Sequence, residues 1–265
     1  MMRHARVAAI LSAAMLGAGL QAVARAQALE TESARFPHAG TYELATAFEF
    51  QTSAEGSERA VPLGLEYAPV GRLAFLVEPV AYTAIRPRSG RSANGAGDLE
   101  MTAFYLVAGE RNARPALAVA AEVKLPTTKN PLIGTGRTDY TAYLIASKRF
   151  AALDLHANAG YTIVGQPPGT RLNNIFNGAV AAEYRLGRKA MVFGEVLGNT
   201  SSAPEGGGDN ATNTNAVVPE AAGGELSGTA GAGVYAIRNL LMSLGLSYDN
   251  RSAWLIRPGL AWRLR

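Results

Sequence analysis

Residues 41–52 read TYELATAFEFQT, which places Tyr42, Leu44, Phe48 and Phe50 on one side of an extended strand and Glu43, Glu49 and Gln51 on the other. A period of two marks a strand whose faces meet different surroundings. The same alternation predicts strands at about 41–52, 59–67, 72–85, 97–108, 114–125, 139–150, 153–164, 177–186, 190–199, 224–236, 240–249 and 253–264. An even count lets both ends of a closed antiparallel barrel lie on one rim. The strands also exceed the roughly 5–6 residues of ordinary soluble strands and suffice to cross a bilayer at a tilt.

The connections alternate too. The joints at 68–71, 109–113, 151–152, 187–189 and 237–239 are tight, whereas those at 86–96, 126–138, 165–176 and 200–223 are long and rich in Gly, Pro, Asn and Ser. Two joints on the long side, 53–58 and 250–252, are short. Short turns on one rim and long loops on the other fit short periplasmic turns and long extracellular loops. The stretch 201–215, SSAPEGGGDNATNTN, has little apolar area to bury. Its glycines are followed by neither Lys-Ser/Thr nor an opening helix, so nothing marks a phosphate cradle.

Residues 1–26 have a basic start with Arg3 and Arg6, an apolar stretch from Val7 to Leu20 and small residues at the exit. This is the pattern of a secretory leader, with a cut expected after Ala26 or Ala28 and a single domain at 27–265. The apolar stretch is shorter than the roughly 20 residues of a spanning helix. Without Arg3, Arg6 and Arg25, the 25 Lys+Arg fall to 22 against 21 Asp+Glu. That near-neutral balance is no nucleic-acid footprint. The sequence has no cysteine, so packing and backbone pairing must supply the stability.

Inverting inside and outside leaves an alternating pattern unchanged, so other features must decide which face is wet. In the fifth strand the polar face carries Ala116, Ala118, Ala120, Glu122 and Lys124, opposite Leu117, Val119, Val123 and Leu125. Small residues suit a crowded lumen better than a solvated surface, which would carry more charge. Aromatic residues gather near strand ends at Tyr42, Phe50, Tyr67, Tyr105, Tyr161, Tyr248, Trp254 and Trp262, as membrane-interface girdles require. The expected fold is therefore an all-β, closed antiparallel transmembrane barrel of about twelve strands in a Gram-negative outer membrane. Its last strand puts Trp254, Ile256, Leu260, Trp262 and Leu264 on one face, and the chain ends on Arg265 rather than on an aromatic residue.

Several short elements are more specific: Gly95-Ala96-Gly97-Asp98-Leu99, Glu122-Val123-Lys124-Leu125-Pro126-Thr127, Asp139, Ser147-Lys148 and His156-Ala157-Asn158-Ala159-Gly160-Tyr161. Together they resemble the outer-membrane transporter family associated with the meta-pathway of phenol degradation. Thr128-Lys129 stands where members of that family often have glycine. The resemblance implies a barrel that moves small, often hydrophobic or aromatic compounds, and it implies no catalytic residues.

With the small, charged face inward, the lumen and its constriction receive Glu78, Asp98, Glu100, Glu122, Lys124, His156, Asn158, Glu183, Arg185, Glu195 and Arg257. Opposite charges in a narrow pore can neutralise one another and select solutes, or they can be structural pairs in a barrel that conducts nothing. Lys148 fits either the lumen or a lipid-side position from which it snorkels to the interface. His156 has Asn158 and Thr162 on its face and no serine close in sequence, which favours a lumenal hydrogen-bonding role over catalysis. No HExxH element or Cys/His cluster suggests a metal, and no cofactor is implied.

The leading expectation is a channel for passive uptake or efflux of small molecules. Its partners are the solute, outer-membrane lipid and, during insertion, the barrel-assembly machinery. The alternatives are a non-conducting barrel with a structural or loop-binding role, a lipid enzyme built on His156, and a soluble periplasmic β-protein.

Overall fold

The computed structural model describes residues 29–203 and 224–264, so the expected leader and most of the loop at 200–223 lie outside the described residues. The strands are β1 (Thr41–Ala47), β2 (Glu49–Thr52), β3 (Gly56–Val70), β4 (Leu73–Pro87), β5 (Ala93–Gly95), β6 (Leu99–Ala108), β7 (Ala116–Leu125), β8 (Asp139–Phe150), β9 (Leu153–Ile163), β10 (Ile175–Leu186), β11 (Ala190–Asn199), β12 (Glu225–Ile237), β13 (Leu240–Asp249) and β14 (Trp254–Leu264). Each pairs antiparallel with its neighbours. β1 closes the ring, lying between β3 and β14 with Tyr42 opposite both Tyr67 and Leu264.

These strands make twelve crossings, because two are interrupted. β1 and β2 form one, broken at Phe48, whose N–H donates to the Pro258 carbonyl at 2.9 Å. β5 and β6 form another, both pairing with β4. Their break lies beside Pro79, which ends the β4–β6 register and has no N–H to donate. A register shift in β3 likewise falls between Val61 and Pro62. The second crossing starts at Gly56 rather than near residue 59, because Ser53 N–H closes a tight turn onto the Gly56 carbonyl at 2.9 Å.

Which way each face points follows from burial. Tyr42, Leu44 and Phe48 lie on the outer wall, and Phe50, on the same face, is covered by Arg59, whose guanidinium sits 5.5 Å from the ring centroid. Glu43 is buried on the inner face. The outer wall carries two aromatic bands. Tyr42, Phe75, Tyr105, Phe150, Tyr184 and Trp262 lie toward the short-turn rim, and Tyr82, Tyr140, Tyr161, Phe176, Tyr248 and Trp254 toward the long-loop rim. Amphipathic and apolar rings at two heights bracket an apolar belt, the arrangement that a bilayer imposes on a barrel. Ring contacts between neighbouring strands reinforce the bands, with centroids 4.4 Å apart for Tyr42–Tyr67 and 4.7 Å for Tyr161–Phe176 and Tyr248–Trp254.

Inside, large side chains lie over glycines on adjacent strands. Tyr143 is paired with Gly160, where a Cβ would sit 2.5 Å from its ring, and Phe193 with Gly231, where a Cβ would sit 2.2 Å away. The missing side chain leaves a flat seat on which the ring lies against backbone. Two long loops fold inward over the upper lumen. Ile133 packs on Ile85 and Ala93, and Leu172 packs on Val164 and Ile175.

Gly160→Val should force Tyr143 off this seat and destabilise the barrel by about 1–3 kcal/mol. Folded-band stability in a urea series checks this, and an unchanged midpoint would contradict it.

Candidate functional site: a polar lumen threaded by the N-terminal segment

The lumen is not an unobstructed tube. From the rim of short turns, where Thr41 begins β1, the preceding residues reverse direction at 38–40 and run back up inside the barrel. Thr41 N–H donates to the His38 carbonyl at 3.0 Å, and Gly40 takes φ +77°, a left-handed conformation that glycine accepts readily. Leu29, Thr31, Glu32, Ser33 and Ala34 are all buried.

The segment is held by polar contacts to strands all around the ring. At its lower end Arg35 forks between Asp154, at 2.8 Å, and Glu110 in the β6–β7 turn. Asp154 also accepts two bonds from Arg149, each 2.7 Å. One turn higher, Ala34 N–H donates to the Ser147 hydroxyl at 2.8 Å. The Asn158 amide, with its orientation assigned from its partners, donates to the Glu32 carbonyl at 3.1 Å and accepts from the Glu32 N–H. Glu195 accepts the N–H of Glu30 at 2.7 Å together with the N–H and hydroxyl of Thr31. Arg257 then bridges Glu30 at 2.7 Å and Glu49 at 2.9 Å. Apolar contacts accompany these: Leu29 and Ala34 join the inner apolar cluster, and Phe36 packs on Phe104 with centroids 5.9 Å apart. Extended backbone without a neighbouring strand would bury unpaired N–H and C=O groups, so inner-wall side chains take over the pairing.

Beside this segment the wall is acidic. Across β4, β6, β7 and β8, Glu78 faces Glu100, Glu100 faces Lys124, and Lys124 faces Asp139, with a buried ion pair between the last two. From the segment side, Glu32 lies within electrostatic reach of Glu78, Glu66 and Glu122. One carboxyl oxygen of each of these four residues has no hydrogen-bond partner among the described residues. Opposite charges therefore meet at Arg257 and Lys124 but not throughout, and carboxyl groups outnumber cationic groups along this wall.

Of the residues expected to line the lumen, Glu122, Lys124, His156, Glu183, Glu195 and Arg257 are buried, Asn158 meets the segment, and Glu78 and Glu100 pair across β4 and β6. Two take other positions. Asp98 accepts the Thr128 N–H at 3.0 Å and ties down the loop at 126–138, because the strand breaks beside Pro79. Arg185 donates to the Ala151 carbonyl at 2.7 Å in the β9 turn, at the lower rim. Lys148 proves to be on the outer face, reaching Glu110 at 2.8 Å on the rim and lying 5.7 Å from the Phe150 ring centroid.

His156 does have a serine beside it. Ser147 faces it across the β8–β9 hairpin with Oγ 2.8 Å from Nδ1, and Glu183 lies 3.6 Å from Nε2. Antiparallel register, invisible in sequence spacing, makes this contact. The Ser147 hydroxyl also accepts the Ala34 N–H, so the trio is part of the segment's anchorage. The other anchors, Glu30, Thr31, Ser33, Arg35, Glu110 and Asp154, were not among the expected site residues. The signal available was the polar, extended character of residues 29–36 between a leader and the first strand.

Partial burial raises the Glu110 carboxyl, but hydrogen bonds from Arg35, Lys148 and the Arg149 N–H outweigh it and hold it at about 2. Its stabilising contribution is complete above the ordinary carboxylate range near 4 and is lost only as pH falls through about 2. The lower anchor is thus fully charged at neutral pH. With Ser33→Cys as the sole cysteine, Arg35→Ala should speed labelling by a water-soluble maleimide about tenfold, the equivalent of roughly 1.4 kcal/mol. Equal labelling rates would show that Arg35 does not hold the segment.

The shape of the barrel is found elsewhere at low sequence identity. A COG4313 outer membrane channel from Pseudomonas putida F1 is 12% identical over 87% of this chain and 97% of its own, with a TM-score of 0.60. The NanC porin is 9% identical over 83% of this chain and 100% of its own, with a TM-score of 0.57. The KdgM porin in complex with disordered oligogalacturonate is 8% identical over 84% and 99%, with a TM-score of 0.56. A search of curated protein sequences finds no match. At the level of sequence, residues 40–227 match the family described as "Putative MetA-pathway of phenol degradation", and the chain belongs to that family.

Proposed function

We propose that this barrel is an outer-membrane channel through which small molecules cross passively, and that residues 29–36 set the width of the path. The observation that carries this reading is the inner segment. It is held in the lumen by separable hydrogen bonds and ion pairs, while Leu29, Ala34 and Phe36 join the apolar cluster of the inner wall. A barrel that served only as a wall would be expected to fill its centre with interlocked apolar side chains, as small closed barrels do. The family description, which names phenol degradation, supports small aromatic compounds as cargo. A lumen rich in carboxyl groups would oppose phenolates, carboxylates and phosphorylated solutes while passing neutral ones.

The expected leader fits this reading. A cut after Ala26 or Ala28 would free the segment's upper end, leaving it attached only at Thr41. Insertion would involve outer-membrane lipid along the aromatic bands and the assembly machinery at β14, with Leu264 as the last apolar position. Glu78, Glu100, Glu122 and Lys124 would line the narrowest polar stretch beside the segment.

The filled lumen also favours a second reading, a barrel that never conducts and serves the envelope structurally. Planar bilayers separate the two. A chain lacking residues 29–36 should show several-fold higher conductance than the full-length protein, and solute flux into liposomes should rise with it. A folded, inserted barrel with no conductance in either form would sink the channel reading.

A further inference from the structure

The upper lumen contains a second acidic group, separate from the row beside Glu32. Above the Arg257 bridge is a cavity of about 70 Å³, lined by Glu30, Glu49, Glu58, Glu225, Asp249 and Arg257 among others. That is ample space for a small ligand head, since about 10–15 Å³ admits one water. Five carboxylates face it against one lining guanidinium. Arg257 is already committed, with Glu30 at 2.7 Å and Glu49 at 2.9 Å. Asp249 accepts the N–H groups of Arg251 and Ala253 at 2.9 and 2.8 Å, and the Arg251 charge acts on Glu225.

Glu58 has no such compensation. It is 6% exposed, its Oε1 has no hydrogen-bond partner among the described residues, and the neighbouring charge is that of Glu49, another carboxylate. A carboxyl group buried in this way is charged only at a cost unless a cation joins it, so a positive group entering the cavity would find an unpartnered acceptor there. Among the described residues no three acidic or histidine side chains converge closely enough to chelate a metal ion. The fit is therefore to a singly charged group that donates directed hydrogen bonds, an alkylammonium, rather than to a divalent cation.

We propose that the upper-lumen cavity lined by Glu58 and Glu225 binds the ammonium group of a small organic amine. The site faces the long-loop side, where a solute arriving from outside would meet it together with the upper end of the inner segment, whose Glu30 shares the lining. It rests on the channel reading only for its role in transport, since binding needs no open path.

Calorimetric titration of the full-length, detergent-solubilised protein with propylammonium chloride tests the site, with propionate and propanol as anionic and neutral counterparts. Propylammonium alone should bind, about tenfold more weakly to Glu58→Gln and more weakly to Glu225→Gln, and binding should fade in 1 M salt, where the screening length drops to about 3 Å. Propanol binding as tightly as propylammonium, or unchanged affinity in both variants with the folded band intact, would overturn the proposal. Amine binding in a protein that never conducts in bilayers would uphold this site while refuting the channel.

Discussion

Every backbone N–H and C=O at membrane depth must find a partner within the protein, and here the ring of antiparallel ladders supplies it. The closing seam, β1 between β3 and β14, is therefore the contact on which the rest depends. An open edge there would expose a row of unpaired groups to hydrocarbon. The interruptions respect the same constraint. Phe48 steps out of the β1–β2 ladder, yet its N–H is delivered to the Pro258 carbonyl. Gly97 N–H similarly reaches the Val80 carbonyl at 2.9 Å across the β5–β6 break.

Closure creates the second problem that the structure solves. A ring of this size encloses more space than its inner side chains fill, and many of those side chains are acidic. The N-terminal segment meets part of that demand. Its backbone N–H groups donate hydrogen bonds to the Glu195 carboxyl and the Ser147 hydroxyl, and Arg35 gives Asp154 and Glu110 a shared cation. Even so it brings Glu32 within electrostatic reach of Glu78, Glu66 and Glu122, so carboxyl groups crowd together on that side of the lumen.

Much of this was legible in the sequence. The two-residue period fixed the crossings, and small residues opposite large ones at Ala116–Leu125 told inside from outside, because lipid tolerates bulk where a narrow lumen does not. Register was not legible. The Ser147–His156 contact depends on how β8 and β9 align, and a hairpin turn of Ala151 and Ala152, with Ala151 at φ +52°, gives no turn signature from which to read that alignment. Nor was the path of residues 29–36 legible, since a polar extended segment has no period and its conformation is dictated by distant strands. Asp98 and Arg185 alternated correctly but lay at strand ends, where a side chain serves the nearest loop or turn.

The reversal at residues 38–40 gives the inner segment a further property. It is joined to the barrel at Thr41 by only a few residues, so leaving the lumen does not mean leaving the protein. A ligand tethered this closely is present at an effective concentration on the order of millimolar, whatever its dilution outside. On the channel reading proposed above, the segment would behave as an inhibitor that cannot be washed away. Each opening would be self-limiting, and a passing solute would compete with a peptide that lies along the lumen from Arg35 up to Glu30.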